Sequence, residues 1–110
     1  MTAQHQELAT GRWERLTFLE QMANIGSEVE RTLNWRARKN APYAQQAFER
    51  ALELIDLTLA AAKSPARLKE LARVREALVD DVIGNNQYAS SDRSWKRYFT
   101  AFAYAARRTH

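Results

Sequence analysis

The stretch Tyr43 to Ala62, YAQQAFERALELIDLTLAAA, decides how the rest of this 110-residue chain is read. Stepped at about 100° per residue from Phe48, the residues Ala44, Ala51, Leu52, Ile55 and Leu59 fill one face of a helix. Tyr43, Leu54, Leu57 and Ala61 fall to one side of that face, so the apolar arc covers roughly 220°, against the ~100° or slightly more of an ordinary surface helix. Such a helix has two neighbours to satisfy. One is the chain's own core. The other is expected to be a second copy of the chain or a protein partner, docked on Tyr43, Leu54, Leu57 and Ala61.

Working outward, Asn40 is suited to cap this helix, with Pro42 in a first turn where a missing N–H does no harm. Lys63-Ser64-Pro65 ends it and starts the next after a connection so short that the two helices should be antiparallel neighbours. The third helix carries the stripe Leu68, Leu71, Val74, Leu78 and Val82, and Gly84 reads as its left-handed stop. After the loop GNNQYASS, any of Ser90, Ser91 and Asp92 can cap a fourth helix with the core face Trp95, Phe99, Phe102, Ala103 and Ala106. Upstream, the first nine residues are polar, and Thr10-Gly11 is a plausible helix entry. Leu16, Leu19, Met22, Ala23, Gly26, Val29, Leu33 and Ala37 then recur at helical spacing. Gly26 on that stripe implies either close approach of a neighbouring helix or a bend at Gly26-Ser27. The expectation is an all-α, up-down-up-down four-helix bundle forming a single domain over 1–110, with helices at about 12–39, 41–62, 65–83 and 92–108. At 1.5 Å per residue the first helix would span about 42 Å against about 26 to 33 Å for the others. It should therefore overhang with Trp13 and Phe18, which need cover, unless it breaks at Gly26.

Composition agrees. With 45% hydrophobic residues, three Gly and two Pro, the chain is neither disordered nor rich in turns. The lack of Cys excludes disulfides and thiolate zinc sites and fits a reducing, cytoplasmic setting. No apolar run is long enough for a signal peptide or a membrane span.

Catalytic constellations are not found. The only histidines, His5 and His110, lie near the chain ends, which leaves no core triad or histidine metal site. Glu49, Glu53 and Asp56 read as a solvated acidic face, and Asp80-Asp81 as partners for Arg36, Arg38, Lys39 or Arg93, because carboxylates at a helix C-terminus need basic neighbours. No phosphate-binding glycine loop is present. The reading is therefore non-enzymatic, with no cofactor and no metal. Two charges fall inside apolar stripes at one level of the bundle, Glu30 and Arg75, and are expected to form a core ion pair that fixes register.

Two resemblances bear on this. Ala44-x3-Phe48-x2-Ala51-Leu52-Glu53-Leu54 looks like the second helix of a tetratricopeptide repeat, but no copy appears at a 34-residue period, so the segment reads as an alanine-rich packing helix. More of the chain, LEQMANIGSEVERTLNWRARKN followed by AFERALELIDLTLA, RLKEL and the Tyr-Ser segment before the last helix, resembles a family of small prokaryotic four-helix-bundle proteins. These are similar in general shape to the HEPN-like bundles that accompany nucleotidyltransferases or act as ribonucleases. The ribonuclease members use an Arg-x4-6-His motif, and no predicted helix here contains a histidine, so the resemblance does not bring that activity with it.

Two functional readings follow. The first is a non-catalytic interaction protein that self-associates or docks a protein partner through the outer face of the second helix. The second is a nucleic-acid-binding accessory protein, drawn from a pI near 9.8 and a net charge of +4. Residues 1–91 hold twelve Lys or Arg and twelve Asp or Glu, while residues 92–110 hold five basic residues and only Asp92. That places the contact for single-stranded RNA or DNA on the last helix, at Arg93, Lys96, Arg97, Tyr104, Arg107 and Arg108.

Overall fold

Helix α1, Phe18–Ala37, starts at Thr17 rather than near Arg12. The Glu20 N–H donates to Thr17 Oγ1 at 3.1 Å and the Thr17 N–H donates to Glu20 Oε1 at 2.9 Å, a reciprocal cap that satisfies two otherwise orphaned donors. Leu16 and Thr17 are extended, so the chain turns back on itself there, and a short helical turn, Trp13–Arg15, precedes the break. The expected overhang is thereby corrected. Trp13 is only 2% exposed. Its indole N–H donates to Thr58 Oγ1 at 2.9 Å, and the Gln21 side-chain amide donates to the Trp13 carbonyl. The computed structural model describes residues 11–108; the polar N-terminal segment with His5 and Thr10, and also His110, lie outside them.

Three further helices follow: α2, Ala41–Ala61; α3, Pro65–Val82; and α4, Asp92–Arg108. Lys39, at φ 59°, ends α1 in the left-handed region. Asn40 caps α2 through the Tyr43 N–H at 3.1 Å, and Ser64 caps α3 with Pro65 as its first residue. Ser91 is the cap of α4, accepting from the Ser94 N–H at 3.0 Å. Gly84 is not the left-handed stop that its position suggested. The left-handed residues of the α3–α4 loop are Asn86 and Ala89, at φ 52° and 54°. Asp80 receives this loop, accepting from the N–H groups of Gln87 and Tyr88 at 2.9 and 3.0 Å.

The helices form an all-α four-helix bundle in which α1 packs against both α2 and α4, and α2 also packs against α3 and the Trp13 turn. The core joins Met22, Ile25, Val29 and Leu33 of α1 to Phe48, Ala51, Leu54 and Ile55 of α2, with Leu71, Val74 and Leu78 from α3 and Trp95 and Phe99 from α4. α1 runs unbroken through Gly26. A Cβ there would stand 2.7 Å from Phe99 Cβ, so the glycine marks the close approach of α4 and not a bend. Leu68, expected in the α3 core stripe, is 38% exposed. Among the described residues no helix is long and apolar enough to cross a membrane.

Candidate functional site

Much of the wide apolar arc of α2 is covered inside the chain. Its buried residues are Ala47, Phe48, Ala51, Leu54, Ile55 and Thr58, a face turned toward the Leu54 side of the one centred on Phe48. Leu54, expected on an outer docking face, is 2% exposed and belongs to the core. Leu57 is half-buried against that core, and Ala61 is half-buried as well. Tyr43 alone of the four is exposed, and its ring meets Trp35 edge-on with centroids 4.8 Å apart. The second neighbour of α2 is therefore α3 together with the Trp13 turn.

The expected Glu30–Arg75 pair does not form. Glu30 is exposed, and Arg75 donates to Asp56 of α2 at 2.9 Å across the surface. The buried carboxylate of α1 is Glu28, whose side chain is 8% exposed and is held by Arg50 of α2 at 3.0 Å and by Arg31. Sequence spacing contained this signal. Gln21, Ile25, Glu28 and Thr32 alternate at four and three residues, a second stripe that faces α2 beside the apolar one, and all four are buried.

Asp81 finds the basic partner that its position near the end of α3 requires. Arg36 of α1 donates to it at 3.0 Å and to Asp92 of α4 at 2.9 Å, while the Trp95 indole N–H donates to Asp81 at 2.8 Å. Three helices are thus tied at one end of the bundle, and the single acid of α4 is neutralised from α1. Among the described residues no group of three His, Cys, Asp or Glu side chains is placed to hold a metal ion.

What remains on α4 is a stripe of one sign. Arg93, Lys96, Arg97, Arg107 and Arg108 are all exposed, and among the described residues none of them forms an ion pair. Projected down the helix, Arg93, Tyr104, Arg97 and Arg108 fall within about 60° of one another, and Lys96 and Arg107 widen the arc to about 120°. The buried residues Trp95, Phe99 and Ala106 lie on the far side. From Arg93 to Arg108 the stripe runs about 22 Å. Tyr104 stands within it at 57% exposure, and the Arg108 guanidinium lies over its ring, 5.6 Å from the centroid. The six residues singled out from sequence are therefore brought together on one face. Compared with known protein families, curated proteins and solved structures, the chain matches none.

Proposed function

We propose that this protein is a non-catalytic binding bundle whose working surface is the outer face of α4, and that its partner is single-stranded nucleic acid. The observation that carries the reading is the row of five exposed, unpaired cations around Tyr104, with the only acid of α4 already held by Arg36. Cations held in no ion pair bind phosphate at low desolvation cost and release condensed counterions when they do, which supplies sequence-independent affinity. An exposed aromatic among them adds stacking on any base. Docking through the α2 face has less support, because Leu54 is in the core and Leu57 and Ala61 are half-covered by the chain itself.

Fluorescence anisotropy with a labelled single strand at about 50 mM salt, followed by a salt titration, tests the proposal. Binding should weaken steeply with salt, and Arg93→Ala with Arg97→Ala should flatten the logarithmic salt slope by about 1 to 2 units. No binding at the low-salt end removes the proposal.

A further inference from the structure

Helices α3 and α4 do not close against each other, and the gap between them is an open groove of about 560 Å³, within the size range of small-ligand sites. Its apolar lining comes from Val74 and Ala77 of α3 and from Trp95 and Tyr98 of α4. Its polar lining comes from Lys69, Glu70 and Arg73 on the α3 bank and from Ser90 and Ser94 on the other. Tyr88 stands at its edge and is unusual among the exposed aromatics. The residue is 56% exposed, yet it is fixed at both ends, with its backbone N–H donating to Asp80 at 3.0 Å and its hydroxyl donating to Glu76 at 2.9 Å. The loop that holds it there keeps Ala89 in the left-handed region, a conformation that a Cβ-bearing residue adopts at a cost. An aromatic side chain held rigid and left uncovered is a ready stacking platform, because little further freedom is lost when a flat ligand settles on it.

We infer that the α3–α4 groove is a nucleobase-binding site, taking an unstacked base of the strand held along α4, with Tyr88 as its stacking surface. The inference rests on the proposed function of α4 and specifies how that surface would engage its ligand. Charge decides which part of the strand enters. On the α3 bank Lys69 and Arg73 stand against Glu70 and, beside Tyr88, Glu76, so that bank offers a phosphate chain no net attraction. The α4 lining of the groove, Ser94, Trp95 and Tyr98, is uncharged, and the basic stripe of α4 begins at Arg97, about 60° around the helix from Ser94. The backbone therefore stays on α4 while the base, planar and with hydrogen-bonding edges, turns into the groove beside Ser90, Ser94 and Arg73.

Anisotropy on a Tyr104→Ala background, which removes the stacking surface of α4 itself, with two labelled strands of equal length, oligodeoxythymidine and an abasic strand with the same number of phosphates, tests this. With Tyr88 intact, this protein should bind the base-bearing strand about tenfold tighter, in line with one stacked base. Tyr88→Ala should erase that preference and leave both the abasic affinity and the salt slope unchanged. Tyr88→Phe, which keeps the ring, should retain the preference. Equal binding of the two strands with Tyr88 intact, or a preference that survives Tyr88→Ala on this background, overturns the groove assignment and leaves the α4 reading standing. Failure to bind either strand overturns both.

Discussion

Gly26 shows how one residue sets the distance between two helices. Its missing Cβ is the space occupied by Phe99 Cβ and Cγ, at 2.7 and 2.9 Å from where a methyl would sit. Those atoms are close to the α4 backbone, so they cannot swing aside as the tip of a long side chain would. Gly26→Ala gains about 1 kcal/mol of helix propensity but overpacks a site where such insertions cost about 1 to 3 kcal/mol. The expected net result is a loss of up to about 2 kcal/mol, read from the urea midpoint; an increase in stability would show that α4 can retreat freely. Glu28 makes a related point, because a carboxylate on a buried face is tolerated only where guanidinium groups arrive from α1 and α2 together.

At the scale of elements, α1 and α2 each face two neighbours and bury wide arcs, whereas α3 and α4 each bury a narrow one. Leu54 distinguishes this arrangement from one with an outward-facing patch. Glutamate at a position 2% exposed leaves a charge with no partner in the core, and such changes cost more than about 4 kcal/mol. Leu54→Glu should therefore abolish the helical circular dichroism signal, and Leu57→Glu, at a half-buried position, should leave it largely intact. A folded Leu54→Glu protein with a later elution volume would restore α2 as an interface.

For the molecule as a whole, the groove introduces a weakness at alkaline pH. The Tyr98 hydroxyl is buried beside Glu70 without a well-aligned hydrogen bond, and burial first, then the charge and closeness of the Glu70 carboxylate, push its phenol well above the ordinary value of 10.0, with Arg73 opposing. Because the folded-state value is raised, this contribution to stability is complete below the unfolded pKa and is lost as pH climbs beyond it. Above pH ~10 the unfolded chain releases this proton and the folded chain does not. Tyr98→Phe should be neutral or slightly stabilising near pH 7, since no well-aligned hydrogen bond is lost. It should also lose less stability than the wild type between about pH 9 and pH 11, measured by urea unfolding at the two values. Parallel loss in both proteins would place the phenol in ordinary solvent.

The local grammar of the chain was legible in its residues. Asn40, Ser64 and Pro65 mark their helix starts because caps and N1 prolines act on the backbone within one turn, whatever surrounds them. The α4 stripe could be read for the same reason, since side chains spaced around one helix share a face through helix geometry alone. Which of several apolar faces meets which neighbour is a different kind of quantity, set by the relative rotation of helices distant in sequence. Periodicity alone could not show that Trp13 folds back to Thr58 or that Leu54 completes the core. The break at Leu16-Thr17 was written locally as a Thr-x-x-Glu capping box, but that signal lay within a continuous apolar pattern. The open α3–α4 groove and the fixed Tyr88 ring arise only when Asp80 and Glu76 of α3 take hold of a loop that follows them, a meeting created by the tertiary fold.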